Sequence, residues 1–180
     1  LVDDGSTDNT EEIVSNYKPN FIDSFFYIKL RRNSGKSEAL SAGIQKVKYE
    51  LVLTIDADLQ DQPEEIIKLL NKLDRGYDLV SGWKSNRVDP LLLKKIPSKV
   101  FNYLVRKILK VNLKDINSGL KLYKKEIWDE IDIYGDFHRF IPVLAASKGY
   151  KITEVAVTHN KRKYGKSKYG NERFLKGIFD

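Results

Sequence analysis

Two carboxylates stand one residue apart, at Asp56 and Asp58, where a short apolar segment ends. That segment, 51–55, reads LVLTI, and its length and branched residues predict a buried β-strand. Alternate residues of a strand point to the same side. If extended geometry continues past the strand end, Asp56, Asp58 and Gln60 present three oxygen ligands to one point. Such ligands suit Mg²⁺ or Mn²⁺, so the spacing predicts a divalent metal site; an ordinary polar strand end is the alternative.

The first half of the chain alternates between strand and helix patterns. The predicted strands cover 1–4, 25–30, 51–55 and 77–82, and the predicted helices cover 6–17, 37–47 and 63–73. This alternation predicts an α/β fold with a mainly parallel central sheet flanked by helices. Ligands of such sheets bind at the carboxyl ends of the strands. Asp3 and Asp4 follow the first predicted strand, so both acidic pairs lie where chemistry is expected.

The second half of the chain has a different pattern and the opposite charge. We predict a basic amphipathic helix within 91–110, which could pack on the sheet or lie on a membrane surface. A short strand over 120–123, a helix over 136–147 and an edge strand over 151–157 follow. The first 90 residues hold 12 Lys or Arg and 16 Asp or Glu, whereas the last 90 hold 20 and 9. A basic half of this kind suggests a partner that carries phosphate, or an anionic membrane surface.

Composition excludes several classes of site. The chain has no cysteine, which excludes disulfides and zinc–thiolate centres. No run approaches the roughly 18 apolar residues of a membrane span.

The chain also lacks methionine and opens inside a strand pattern. We therefore expect a fragment that holds one catalytic domain over 1–180, with the first strand, and any membrane segments after residue 180, outside it.

Five motifs occur in a fixed order along the chain: VDDGS at 2–6, NSGK at 33–36, DADLQ at 56–60, DINSGLK at 115–121 and HRFIP at 138–142. Together they resemble the family 2 glycosyltransferases of GT-A fold, and within them the polyprenyl-phosphate sugar transferases. The resemblance covers essentially the whole chain. It implies metal-dependent, inverting transfer of a sugar from a nucleotide-diphosphate donor to a polyprenyl (dolichyl or undecaprenyl) phosphate.

The resemblance also implies a donor site for a UDP- or GDP-sugar. Its nucleoside side corresponds to Asp3 and Asp4, and Lys36 lies in a glycine-containing loop suited to phosphate. The full donor-binding set is Asp3, Asp4, Gly5, Ser6, Asn33, Lys36, Asp56, Ala57, Asp58, Gln60 and Arg87. Mg²⁺ or Mn²⁺ on Asp56, Asp58 and Gln60 would neutralise the leaving diphosphate as a Lewis acid.

The predicted catalytic residues are Asp58 and Asp115, and Asp115 belongs to the acceptor side. If the acceptor is a sugar hydroxyl, the reaction needs a general base, and Asp115 is the candidate. If the acceptor is a lipid phosphate, its oxygen is already anionic, and Asp115 would orient the acceptor or the sugar. The residues expected to bind acceptor phosphate are Arg139, Arg162, Lys166 and Lys168.

Four other functions compete with this interpretation. The first is a family 2 glycosyltransferase that acts on a saccharide hydroxyl. A phosphatase with a D-x-D strand end would continue with Thr or Val, where this chain has Leu59 and Gln60, and a nucleotidyltransferase would also use Mg²⁺ and a nucleotide. A nucleic-acid-binding module would use the basic half but leaves the acidic strand ends unexplained. We therefore expect no nucleic-acid partner, and a location at the cytoplasmic face of a membrane.

Overall fold

A computed structural model describes residues 1–20, 22–84 and 113–160. The strands are β1 (Val2–Asp3), β2 (Ile28–Lys29), β3 (Leu51–Thr54), β4 (Leu79–Lys84), β5 (Lys121–Lys124) and β6 (Ile152–Val157). The α-helices are α1 (Thr10–Ser15), α2 (Lys36–Ile44), α3 (Ile66–Leu73), α4 (Ile127–Glu130) and α5 (Ile141–Ser147), with 3₁₀ turns at Pro63–Glu65 and Phe137–Phe140. The amphipathic helix predicted within 91–110 lies outside the described residues. Among the described helices, none is long and apolar enough to cross a membrane.

The described residues group into two compact units. Unit 1 comprises those within Leu1–Lys48 and Asp132–His138, and unit 2 comprises those within Tyr49–Ile131 and 139–160. The prediction of one catalytic domain over 1–180 stays a prediction.

Unit 1 is built on a short parallel pair of strands, β1 and β2. Helix α2 packs against β1. The two elements approach closely at Gly43, where an added Cβ would lie only 3.0 Å from Cγ2 of Val2. Helix α1 begins later than predicted, at Thr10, where the Asp8 carboxylate accepts the Thr10 backbone N–H at 3.1 Å. Asn9 occupies the N-cap position without a side-chain cap hydrogen bond, and the Asp8–Thr10 contact is an Asx-type turn that holds the chain before α1 in a non-helical conformation.

A buried carboxylate joins three segments of unit 1. Asp3 is 7% exposed, and its Oδ1 accepts the Ser6 backbone N–H at 2.8 Å while its Oδ2 accepts the Tyr27 hydroxyl at 2.6 Å. Burial would raise the pKa of Asp3, but the hydrogen bonds from Ser6 and Tyr27 outweigh it, so the pKa lies below its ordinary value. The bond to Asp3 raises the pKa of Tyr27 to about 12. At neutral pH the pair is therefore a carboxylate and a neutral phenol.

Unit 2 contains a four-stranded sheet in the order β3-β5-β4-β6. Strand β5 is antiparallel to both β3 and β4, whereas β4 and β6 are parallel. Strands β3, β4 and β6 therefore run in the same direction, and their carboxyl ends lie at one end of the sheet. The predicted α/β fold with a mainly parallel sheet is confirmed, and the predicted edge strand is β6.

Helix α3 supplies the main core of unit 2. Its Leu69 and Leu73 pack in a buried cluster with Val80, Leu122 and Val157 of the sheet. The apolar spacing in 63–73 predicts that Ile66, Ile67, Leu69, Leu70 and Leu73 face the core. Leu69 and Leu73 do so, whereas the prediction for Ile67 is wrong, because its side chain is 63% exposed. The predicted start at Pro63 is confirmed as a 3₁₀ turn that leads into α3. Proline suits this first turn because its missing N–H would have no helical partner there.

A second buried cluster anchors the segment that leads to the DINSGLK motif. Leu113 and Ile116 are almost fully buried, and they pack with Phe140, Val143, Ala146 and Ile152. The helix predicted over 136–147 is in fact a 3₁₀ turn followed by α5. Pro142 stands in the first turn of α5, so the α-helical ladder begins only there.

Replacing Leu69 by Ala tests the core of unit 2. Leu69 is fully buried, so the substitution is expected to lower the free energy of unfolding by about 2–5 kcal/mol. The matched control is Ile67→Ala on the same helix, where the side chain is 63% exposed and a change within about 0.5 kcal/mol is expected. Urea unfolding measures both, and equal losses would contradict the assigned packing face.

Replacing Tyr27 by Phe tests the Asp3 contact through its pH dependence. The variant is expected to be less stable than wild type at pH 7, because ionised Asp3 loses a hydroxyl donor. A carboxyl whose folded pKa is lowered stabilises the fold above its ordinary pKa of 3.8, and this stabilisation is lost as the pH falls through the folded pKa. The difference should therefore shrink below about pH 4. Tyr17→Phe, at an exposed tyrosine of unit 1, is the control, and a difference that does not depend on pH would refute the assignment.

Candidate functional site

The chain turns sharply after β3. Strand β3 ends at Thr54, and Leu59 has a φ of 61°, a left-handed conformation that residues with a Cβ rarely adopt. Within this turn the Gln60 backbone N–H donates to Asp58 Oδ1 at 3.2 Å. Our assumption that extended geometry continues past residue 55 is therefore wrong. The local hydrogen bond of Asp58 replaces the alternation of a strand, so Asp58 and Gln60 lie in a turn that follows Asp56.

The Asp56 carboxylate lies against the backbone of Gly119. A Cβ added to Gly119 would be 2.3 Å from Asp56 Oδ2 and 2.5 Å from Cγ. The antiparallel pairing of β3 with β5, which sets Thr54 opposite Lys121, produces this approach. The Thr54 hydroxyl also donates to the Gly119 carbonyl at 3.0 Å, and the buried Lys121 ammonium donates to the Ser118 carbonyl. The glycine of the DINSGLK motif thus forms a cradle for Asp56.

An open cleft of about 460 Å³ lies beside this carboxylate. Its lining comes from the loop after β3 and from the residue three positions after β6: Ile55, Asp56, Leu59, Asp61, Gln62, Pro63, Glu64 and Asn160. The cleft combines carboxylates and carboxamides with a few apolar side chains. It could therefore admit a polar ligand bearing a divalent cation.

The loop after β3 is tied to the end of β6. The Asn160 backbone N–H donates to the Gln60 carbonyl at 2.8 Å, and Gln60 Nε2 donates to the Asn160 carbonyl at 3.0 Å. Gln62 Nε2 donates to Asn160 Oδ1 at 3.1 Å. Asp61 and His159 form an isolated antiparallel bridge, and His159 Nδ1 lies 2.9 Å from Asp61 Oδ1. Nothing in the sequence indicated these partners beyond their place after an edge strand.

The oxygen donors in this loop fit a hard divalent cation. Asp56 and Asp58 supply carboxylates and Gln60 a carboxamide oxygen, which are ligands that Mg²⁺ and Mn²⁺ accept. The cradle at Gly119 holds Asp56 at the wall of the cleft. In the described part of the chain, no group of three or more Asp, Glu or His residues has a metal-holding arrangement. The predicted ligand set contains only two such residues, Asp56 and Asp58, beside the carboxamide of Gln60. This ligand set therefore stays a prediction.

The VDDGS and NSGK motifs form one structure in unit 1. The Asp4 carboxylate accepts the Ser34 backbone N–H at 2.7 Å and the Gly35 N–H at 3.0 Å. Gly5 has a φ of 73°, and a Cβ there would lie 2.4 Å from the Arg32 carbonyl carbon, so this position requires glycine. The structure thus brings together the predicted donor residues 3–6, Asn33 and Lys36. The carboxylates of Asp3 and Asp4 accept hydrogen bonds from other groups of the protein. Their contact with a nucleoside stays a prediction.

Asp115 lies in a turn that Glu154 of β6 holds in place. Its Oδ1 accepts the Asn117 backbone N–H at 3.1 Å. Glu154 Oε2 accepts the backbone N–H groups of Lys114, at 2.7 Å, and Asp115, at 3.3 Å. Burial raises the pKa of Glu154, although these hydrogen bonds oppose the shift. The Lys114 ammonium stands 3.8 Å from the ring centre of Trp83, so the segment before Asp115 is fixed at several points. We did not predict this role of Glu154 from the sequence.

The predicted acceptor residues are only partly described. Arg139 lies in the 3₁₀ turn Phe137–Phe140. The other predicted acceptor residues, Arg162, Lys166 and Lys168, lie outside the described residues, as does the predicted donor residue Arg87. His138, adjacent to Arg139, is buried, and its Nδ1 is 3.2 Å from the Ser37 hydroxyl, which also accepts the His138 backbone N–H at 3.1 Å. These contacts give His138 a structural role.

Comparison with proteins of known structure shows the fold. One similar structure is glucosyl-3-phosphoglycerate synthase from Mycobacterium tuberculosis in complex with Mn²⁺ and UDP-glucose, with a TM-score of 0.66 and 20% sequence identity. The match covers 91% of this chain and 60% of the synthase chain. The same enzyme with Mg²⁺ and UDP matches with a TM-score of 0.63. The predicted GT-A fold is confirmed.

Comparison of sequences identifies the family. Dodecaprenyl-phosphate galacturonate synthase of Rhizobium johnstonii is 40% identical over an alignment of 183 positions, which covers all of this chain and 54% of the relative. Undecaprenyl-phosphate 4-deoxy-4-formamido-L-arabinose transferase of Pseudomonas savastanoi pv. phaseolicola is 38% identical over all of this chain and 53% of its own length. The chain thus spans about half the length of these curated relatives. The family model "Glycosyl transferase family 2" matches residues 1–132, and the chain belongs to that family.

Proposed function

We propose that the protein transfers a sugar from a nucleotide-diphosphate donor to a polyprenyl phosphate, with a divalent cation and with inversion at the anomeric carbon. The observation that carries this proposal is the Asp56 carboxylate, held against Gly119 at the wall of an open cleft and followed by Asp58 and Gln60 in one turn. The similarity to relatives named as polyprenyl-phosphate sugar transferases supports the acceptor class.

On the donor side, Asp56, Asp58 and Gln60 would hold Mg²⁺ or Mn²⁺. The cation would supply positive charge to the diphosphate as it leaves. The Gly119 cradle keeps Asp56 in position before a ligand arrives, so little reorganisation is needed. For the nucleotide we propose Asp3, Asp4, Gly5, Ser6, Asn33 and Lys36 of unit 1, together with Ala57 and Arg87.

On the acceptor side, a lipid phosphate brings an oxygen that is already anionic, so no base has to remove a proton. Asp115 would then orient the acceptor or the sugar, and the fixed turn around it suits that role. Arginine binds phosphate through two parallel hydrogen bonds. We therefore assign the acceptor phosphate to Arg139, with Arg162, Lys166 and Lys168, and we place the reaction at the cytoplasmic face of a membrane. Direct displacement by the phosphate oxygen gives the inverted anomer.

The reaction is tested with the full-length protein in undecaprenyl phosphate vesicles, Mn²⁺ and a panel of radiolabelled UDP- and GDP-sugars. The expected product is a sugar-phosphate lipid whose anomeric configuration, read by NMR, is opposite to that of the donor. Asp58→Asn should lower the transfer rate about 100-fold or more, because it weakens charge stabilisation in the transition state.

Asp74→Asn, at an exposed carboxylate in unit 2, is the matched control and should transfer at the wild-type rate. Transfer to saccharide hydroxyls alone would overturn the lipid-phosphate assignment and would make Asp115 the general base.

Replacing Gly119 by Ala tests the cradle without touching a carboxylate. The new Cβ would meet Asp56 at 2.3 Å, so Asp56 must move and Mn²⁺ affinity is expected to fall about tenfold or more. The control is Gly82→Ala in β4, where the Cβ would meet the end of the Val157 side chain at 3.1 Å and the Leu120 carbonyl oxygen at 3.3 Å, but no carboxylate within 4 Å among its three nearest atoms. Titration of Mn²⁺ followed by electron paramagnetic resonance measures both. Wild-type affinity in Gly119→Ala would show that Asp56 is not a ligand.

A further inference from the structure

A short antiparallel junction closes the loop that carries the candidate metal ligands. We call the contacts between Gln60–Gln62 and His159–Asn160 the loop junction. Its backbone and carboxamide hydrogen bonds link the chain after β3 to the chain after β6. At its centre is the pair formed by Asp61 and His159. Neither residue belongs to the proposed ligand set or to the predicted donor and acceptor residues.

The Asp61 side chain is buried to an extent unusual for a carboxylate. Its side chain is 1% exposed, and that of His159 is 16% exposed. Oδ1 of Asp61 lies 2.9 Å from His159 Nδ1, whereas Oδ2 is buried and has no hydrogen-bond partner among the described residues. Burying a carboxylate is costly unless it is well paired. The contact with His159 is therefore the main interaction that stabilises the buried Asp61 carboxylate.

The pair is well placed to act on the metal loop. Asp61 directly follows Gln60, whose backbone N–H donates to Asp58. It also lies two residues after Leu59, and Leu59 has a left-handed backbone conformation. A strained residue of this kind persists only where the surrounding contacts impose it. On the other side, His159 comes two residues after Val157, which is buried in the core beneath α3. The pair thus connects the loop to the rigid sheet.

We propose that Asp61 and His159 are a positioning pair that holds the Asp58–Gln60 turn in the conformation that binds the divalent cation. The inference rests on the metal site of the proposed function. The pair itself contributes no ligand. The His159 N–H donates to Asp61 Oδ1, Asp61 keeps the following backbone against β6, and the Asp58 and Gln60 oxygens stay within reach of the cation. Partners that orient metal ligands typically contribute ten- to hundredfold to affinity.

The test is a titration of the full-length protein with Mn²⁺ alone, followed by electron paramagnetic resonance, with melting temperature measured in parallel. His159→Ala is expected to weaken Mn²⁺ binding about tenfold or more. His159→Asn keeps an N–H donor close to the place of Nδ1 and is expected to bind Mn²⁺ with an affinity near that of wild type. The double variant Asp61→Ala/His159→Ala should bind about as weakly as His159→Ala, because both changes remove one contact.

The control is an ion pair at the opposite end of the same sheet. Asp78 precedes β4, and its carboxylate is 2.7 Å from the Lys124 ammonium and accepts the Lys151 backbone N–H at 2.8 Å. Asp78→Ala should lower the melting temperature and leave Mn²⁺ affinity unchanged. If Asp78→Ala weakens Mn²⁺ binding as much as His159→Ala does, or if His159→Ala binds like wild type, the positioning role is refuted. Absence of Mn²⁺ binding in the wild type would instead overturn the metal-dependent function and the inference with it.

Discussion

The close approach of the Asp56 carboxylate to the Gly119 backbone is the contact on which the acidic loop depends. It exists because β5 is inserted antiparallel between two strands that run the other way. This insertion brings a residue without a side chain to the end of β3. Two carboxylates in one short turn repel each other, a cost that a bound cation removes. Strand pairing therefore sets the position of one of them, and the turn at Asp58 sets the other.

The acidic residues of this chain act as turn formers and as candidate ligands at the same time. Asp4, Asp58 and Asp115 each accept a backbone N–H from a neighbouring loop or from a residue two positions on. A structural explanation for each is therefore sufficient on its own. The two roles do not exclude each other, because each carboxylate oxygen has two lone pairs and can accept a further contact. Hydrogen bonds of this kind orient a ligand before the substrate binds.

Apolar patterning predicted most of the fold, and it failed where distant residues decide the local structure. The runs at 51–55 and 77–82 predicted β3 and β4, although β4 begins two residues late. Periodicity carries no information about the turn after β3, which depends on Asp58 and on partners 100 positions away. Glu154 reads as an ordinary residue of an edge strand and His159 as one that follows it, since nothing local shows that one contacts Lys114 and the other Asp61. The family motifs supplied the candidate ligands but not these supports.

The order of strands also has a consequence for how the protein is made. Strands β3 and β4 are not paired with each other, because β5 lies between them. The contact of Thr54 with Gly119 spans 65 positions, and that of Gln60 with Asn160 spans 100. Contacts of such long range close late, since the chain must first lose the entropy of a large loop. A nascent chain that has not yet reached β6 therefore already carries Asp56, Asp58 and Gly119 but lacks His159 and Asn160, which bind the end of the acidic loop. The acidic loop takes its final form only near the end of synthesis of this part of the chain.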